Sequence, residues 1–177
     1  AKSMLDMCAA LESKVLLVCS STSRHASEEP DRLAEDLAKL AMLALPLGIK
    51  IAYEGLSWGR TVNEFTTAWD LVCRADMPNL GLGLDSFHVF AAGTALDALD
   101  DIDGNRIYLV QLSDFMWHDT PTFEERITTA RTFRVFPGEG VHTPALIELT
   151  RALERIGFSG DYSFVTGQRG MFSYSGL

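Results

Sequence analysis

Four polar residues stand where apolar, strand-like runs end. Glu54 follows IKIAY directly, Asp85 follows LGLGL with His88 three residues later, and Gln111 closes IYLVQ just ahead of Ser113 and Asp114. Two carboxylates with an amide or an imidazole form a hard oxygen and nitrogen donor set, suited to a divalent cation such as Mg²⁺ or Mn²⁺ rather than to a sulfur-seeking metal. Any one of these residues alone reads as a loop former or a helix cap. Together, at successive strand ends, they read as one site, because parallel α/β folds collect function at the C-terminal ends of their strands. Glu54 is not needed as a turn former, and the bulky Phe87 separates Asp85 from His88. The segment RVFPGEG, Arg134 to Gly140, adds an arginine able to meet a carboxylate or phosphate in bidentate fashion, and a Pro-Gly-Glu-Gly turn whose amides could face an anion. Its bland alternative is a plain loop before the next helix.

The elements that must position these residues are legible as an alternation. Val15 to Cys19 is a continuous apolar run, expected to be a strand buried on both faces. Pro30 then opens a helix with Leu33, Leu37, Leu40 and Leu43 as its stripe, ended by Gly48. The cycle recurs: strand 49–53, helix 62–75 with Phe65, Trp69 and Val72 on one stripe, strand 80–84, a short helix 95–102 and strand 107–112. The glycines of LGLGL suggest close approach of a neighbouring backbone. A long connection, Ser113 to Gly140, holds a short helix around 123–130. Thr143 and Pro144 read as N-cap and first residue of a helix with Leu146, Leu149, Leu153 and Ile156 as its stripe, capped by Gly157 before a last strand over 162–165. Alternating strands and helices imply right-handed βαβ units on a parallel sheet. A closed eight-stranded barrel takes ~250 residues, so five strands with flanking helices imply either an open sheet or an incomplete (β/α)8 barrel, in one domain with a divergent tail over 166–177.

The bulk properties fit a globular chain. Its 177 residues are 47% hydrophobic and 22% charged, and the net charge of −9 argues against a nucleic-acid binder. Cys8, Cys19 and Cys73 lie apart in apolar runs, which suits buried thiols and a reducing compartment. Neither a bilayer-spanning stretch nor a signal peptide is visible, so the expected location is the cytoplasm and a membrane partner is not expected.

The segments IAYEGLSWGR, NLGLGLDSFHVF, IYLVQLSDF and RTFRVFPGEGVHTPALIELTRALERIGFSGDYSF together resemble the xylose-isomerase-like superfamily of sugar-phosphate isomerases and epimerases. The resemblance runs from Val15 to Phe164, and LDSFH, QLSDFMW and RTFRVFPGEGVH are more similar still to its bacterial 3-dehydroshikimate dehydratases. It implies strands four to eight of a TIM barrel, with Glu54, Asp85 and Gln111 as ligands of a divalent metal (Mg²⁺, Mn²⁺ or Co²⁺). It further implies His88 as the proton-transfer residue and Arg134 as the holder of a small anionic polyhydroxy-ketone. The implied reaction converts 3-dehydroshikimate to protocatechuate and water, with sugar isomerisation or epimerisation as the alternative. A DNA-repair endonuclease of the same superfamily would need more histidines and a basic surface.

The chain departs from that pattern in three places. Val165 stands where the resemblance implies a fourth ligand, a glutamate, and the sequence beyond Phe164 no longer resembles the family, with Gln168 a neutral stand-in three residues late. Strands one to three have no counterpart, so exposed sheet edges favour association with a second copy, and a non-catalytic barrel fragment is a further reading. Leu56 occupies a position where some of the dehydratases carry a catalytic histidine, and His25, His118 and His142 are expected in solvated loops.

Overall fold

The computed structural model describes residues 1–167; the remaining tail, with Gln168, lies outside the described residues. Five strands, β1 (Val15–Cys19), β2 (Lys50–Glu54), β3 (Leu80–Asp85), β4 (Ile107–Leu112) and β5 (Tyr162–Phe164), form one parallel sheet in the order of the sequence. An open doubly wound sheet reverses its strand order at a switch point. This one does not: it is the half-barrel of a TIM-type fold. The helices are α1 (Lys2–Ala10), α2 (Pro30–Ala44), α3 (Phe65–Ala75), α4 (Ser86–Ala92), α5 (Phe123–Thr132) and α6 (Thr143–Arg155).

Alternation along each strand separates two faces. Leu16, Ile51, Tyr53, Leu80, Leu82, Leu84, Val110 and Leu112 point outward into the main core, where α2, α3 and α6 lay their apolar stripes. Ala52, Glu54, Gly81, Gly83 and Asp85 alternate with these residues on the inner face. Space requires glycine at Gly81, whereas at Gly83 the obstacle is the movable end of a leucine side chain. A Cβ on Gly83 would lie 2.5 Å from Leu17 Cδ1, and one on Gly81 would collide with the Arg106 carbonyl oxygen, the close approach that LGLGL suggested.

The β3–β4 pairing carries an irregularity that matters for the rim. Leu82 pairs with Ile107 but Gly83 pairs with Leu109, so Tyr108 is an extra residue on β4. This bulge advances β4 by one residue and brings Gln111 level with Asp85 on the same face.

Several local expectations are corrected. The stripe of α2 is rotated: Ala34, Leu37, Ala41 and Ala44 are buried, whereas Leu43 is 42% exposed. Small alanines let the helix approach the sheet more closely than a leucine face would. The helix expected over 95–102 is a 3₁₀ segment, Leu96–Asp101, preceded by the unexpected α4. That helix is short and buries residues all round, Ser86, Phe87, His88, Val89 and Ala91, so it has no amphipathic period to read. His142, not Thr143, occupies the N-cap of α6. Cys8 is buried, but Cys19 and Cys73 are exposed, and all three are free thiols. None of the helices among the described residues is long and apolar enough to cross a membrane.

Candidate functional site

Glu54 ends β2 with its carboxylate turned to the inner face, 4% exposed. Its Oε2 accepts a hydrogen bond from the Cys19 thiol at 3.3 Å, while Oε1 is buried with no hydrogen-bond partner among the described residues. Burial, reinforced by the nearby charge of Asp85, pushes the Glu54 carboxyl up to about 7. Although Cys19 as a whole is exposed, its sulfur is partly buried against Glu54. The thiol is pushed up to about 12, first by that burial and then by the charge of Glu54, so it is a hydrogen-bond donor rather than a nucleophile.

Asp85 ends β3 and has two local tasks. Its Oδ1 accepts the Phe87 amide at 2.9 Å and so caps α4. The same carboxylate takes a bidentate guanidinium: Arg134 Nη1 lies 2.7 Å from Oδ2 and Nη2 lies 2.6 Å from Oδ1. Arg134 Nε also donates to Ser113 Oγ at 2.9 Å, and the guanidinium stands 5.4 Å from the Phe87 ring centroid. The arginine expected to wait for an anion is thus engaged by one of the expected ligands, both side chains being almost fully buried.

His88 sits in the first turns of α4, 6% exposed, between the rings of Trp58 and Phe87. The Ser57 backbone N–H donates to its Nδ1 at 3.1 Å, and Ser57 Oγ lies at the same distance from that nitrogen. An Nδ1 that accepts a backbone N–H leaves the uncharged ring with its proton on Nε2. Burial lowers the imidazole to about 4, so it is neutral near pH 7.

Glu54, Asp85 and His88 each present one ligand atom, and the three atoms lie within 4.8 Å of one another. Donors around a common divalent ion sit about 2.0–2.6 Å from it, hence roughly 3–5 Å apart, so this spacing is close to a coordination sphere. The buried, partnerless Oε1 of Glu54 is what such a sphere would satisfy. Gln111, half-buried, stands in register beside Asp85, with Ser163 next to it on β5. Val165 is one residue past β5, its amide donating to the Leu112 carbonyl, and continues the face of Ser163.

Ser86, Ser113 and Asp114, polar followers of the same strand ends, bond to the backbone of the rim. Ser86 Oγ donates to the Ser113 carbonyl at 3.0 Å and accepts the Ser113 amide at 2.9 Å, tying the ends of β3 and β4. Asp114 is fully buried and its Oδ1 accepts the amides of Phe115 and His142. The same oxygen stands 3.2 Å from His142 Nδ1. His142 is therefore not a solvated loop residue: it is 8% exposed and stacks on Phe115 at 3.9 Å. His25 and His118 are exposed, as expected. In PGEG the Glu139 carboxylate accepts the Phe136 amide at 3.0 Å, so the turn satisfies part of its own donor set.

The comparisons with known proteins agree with this architecture. A family model described as xylose isomerase-like TIM barrel matches residues 1–166. The 3-dehydroshikimate dehydratase of Pseudomonas aeruginosa is 41% identical over 140 residues, which are 79% of this chain and 22% of that protein. The inosose isomerase of Bacillus subtilis is 33% identical over 165 residues, 89% of this chain and 55% of that enzyme. Among solved structures, an IOLI protein with a bound zinc atom superposes with a TM-score of 0.78 at 30% identity, covering 93% of this chain and 58% of its own. The chain thus spans about a fifth of the length of the dehydratase and about half that of the isomerase.

Proposed function

The chain belongs to the xylose isomerase-like TIM barrel family, and on that footing we propose that its rim is the metal-binding part of a 3-dehydroshikimate dehydratase. The observation that carries this reading is the convergence of Glu54, Asp85 and His88 within 4.8 Å, with a buried carboxylate oxygen left for a cation. The dehydratase names among its relatives support it, as does Gln111, the residue that the resemblance associates with the dehydratases.

Glu54 and Asp85, with Gln111 level with Asp85 on the same face, would hold a divalent metal, and His88 would stand beside that ion with its Nε2 left to the substrate. When bound, that cation would polarise the substrate's ketone and offset the negative charge of an enolate. The remaining work falls to the protein's own groups. Arg134 would orient the substrate through its carboxylate. His88 would move the proton, and Ser57 sets the direction of that movement. In the tautomer that accepts the Ser57 amide, Nε2 carries the proton and cannot act as base. With the proton moved to Nδ1 and donated to the Ser57 hydroxyl instead, Nε2 has a free lone pair that can take the acidic proton beside the ketone. The resulting imidazolium can return that proton from Nε2 to the departing hydroxyl, which leaves as water, and the ring is again neutral with its proton on Nδ1 donated to the Ser57 hydroxyl. One group thus serves as base and then as acid. Aromatisation of the ring drives the overall conversion.

Incubating the 177-residue chain with 3-dehydroshikimate and Mn²⁺ and following protocatechuate absorbance tests the reading. Product is expected to form slowly, to disappear in Glu54→Ala, and to form at least about tenfold faster in Val165→Glu, which supplies the fourth ligand, a third carboxylate, at a ~1.4 kcal/mol gain or more. If neither the wild-type chain nor Val165→Glu yields product, the dehydratase assignment falls. Isomerised sugar ketones formed by the same chains would favour the isomerase alternative.

A further inference from the structure

Asp85 is asked to do two things that conflict electrostatically. As a metal ligand it must offer an oxygen to a doubly charged cation. In the structure both of its oxygens are taken by Arg134, at 2.7 and 2.6 Å, and Oδ1 also receives the Phe87 amide. A cation on Asp85 would therefore sit beside a guanidinium held on the same carboxylate. At such separations two like charges in a buried setting repel strongly, and Arg134 is only 5% exposed, so water screens little of this.

The anchoring of the arginine is uneven. Nε is held from outside the ion pair by Ser113 Oγ at 2.9 Å, and the guanidinium lies over Phe87. The two Nη groups depend on Asp85. The fork can thus turn away from Asp85 about its Nε anchor if another carboxylate receives it. Charge balance favours that exchange. Glu54 and Asp85 ionised against Arg134 leave one negative charge; a divalent cation makes it one positive; a monocarboxylate brings it to zero.

We propose that Arg134 competes with the divalent cation for Asp85, and that a carboxylate ligand relieves the competition by drawing the guanidinium away. This rests on the metal-centre reading above and adds a regulation to it: cation and carboxylate bind with positive, reciprocal coupling through a single arginine. The chain without ligand holds its cation weakly because its own arginine occupies the place, and the substrate's anionic group tightens the centre it is about to use.

The test measures metal affinity rather than turnover. Mn²⁺ is titrated into the 177-residue chain, free Mn²⁺ being read from its paramagnetic resonance signal, with and without cyclohexanecarboxylate, a ring carboxylate lacking hydroxyls that could chelate. The wild-type affinity is expected to rise by about fivefold or more with the carboxylate, in the range usual for coupled sites. Arg134→Gln is expected to bind Mn²⁺ more tightly than wild type and to show no carboxylate effect. Because removing a buried partner can unfold the chain, the variant is checked by circular dichroism, and the wild-type arm stands without it. A wild-type affinity that is unchanged or weakened by the carboxylate overturns the inference while leaving the metal centre in place. Absence of Mn²⁺ binding in both chains, with and without carboxylate, sinks the metal-centre reading itself.

Discussion

Two buried titratable groups face each other across the rim and are shifted in opposite senses. Glu54 is raised from 4.5 to about 7 by burial and by Asp85, and His88 is lowered from 6.5 to about 4 by burial. In the metal-free chain, Glu54 contributes stability that is complete below pH 4.5 and is lost as the pH rises through 7. His88 contributes stability that is present above pH 6.5 and is lost as the pH falls through 4. Between about pH 4.5 and 6.5 the two slopes oppose each other. The wild-type urea midpoint in EDTA is therefore expected to vary little across that window. Glu54→Gln should leave a stability that climbs with pH, and His88→Asn one that declines, each by roughly 1–3 kcal/mol across the window. Parallel curves for all three proteins would refute the assignment of these shifts. At this scale the sequence was informative about residue type and uninformative about partners. Glu54, Asp85 and Gln111 stand on one rim because strand ends are readable as apolar runs that stop. That Arg134 lies on Asp85, and that Ser57 holds His88, depends on contacts 49 and 31 residues apart, for which no local pattern exists.

Elements deliver these residues through features of differing legibility. Strands β2 and β3 were readable because burial on both faces makes them continuous apolar runs. By contrast β1, expected to be buried on both faces, is mostly half-buried and ends on the exposed Cys19, and β5 leaves Tyr162 and Phe164 exposed. Helix α4 was not readable, since seven residues buried all round show no period. The bulge at Tyr108 was equally silent, yet it sets Gln111 level with Asp85. The connection after β4 is pinned at Asp114 through both its backbone and its carboxylate. Asp114 and Val135 exchange backbone hydrogen bonds of 3.0 and 2.8 Å, and Asp114 Oδ1 accepts the amides of Phe115 and His142 at 2.8 and 3.0 Å. Gly140 lies against that oxygen too closely to carry a side chain. The clamp fixes the segment that supplies Arg134, only one residue from Val135. Asp114→Ala should cost about 2–4 kcal/mol, as expected for stranding two buried amides and the His142 ring. Hydrogen exchange should show early loss of protection at the His142 amide, in a folded protein whose β2 and β3 amides stay protected. Uniform loss across the sheet would mean that Asp114 serves global stability and not this segment.

At the scale of the whole molecule, the parallel half-barrel was legible from the βα alternation, and its sequential strand order then excluded the open-sheet alternative. The order could not be read beforehand, because a βαβ unit has the same local signature in an open sheet and in a barrel. The half-barrel leaves inner-face groups incompletely covered. Ala52, Glu54, Gly81, Gly83 and Asp85 are buried, but Leu17 and Leu109 on the same face are only half-buried and Cys19 is exposed. Among the described residues β1 pairs with β2 alone, so its other edge has unpaired amides and carbonyls beside an apolar inner surface. Leu11, Met7 and Met4 add exposed apolar area on and just after α1, the element ahead of that edge. Such an edge is a template for pairing with another chain. Sedimentation of the 177-residue chain is expected to show association that strengthens with concentration, and Leu17→Lys, which points a charge into the inner face beside that edge, should shift it toward monomer. A far-ultraviolet spectrum matching wild type would show that the variant still folds. A chain that remains monomeric at every concentration, or a variant that associates as strongly as wild type, would rule out this edge as the contact.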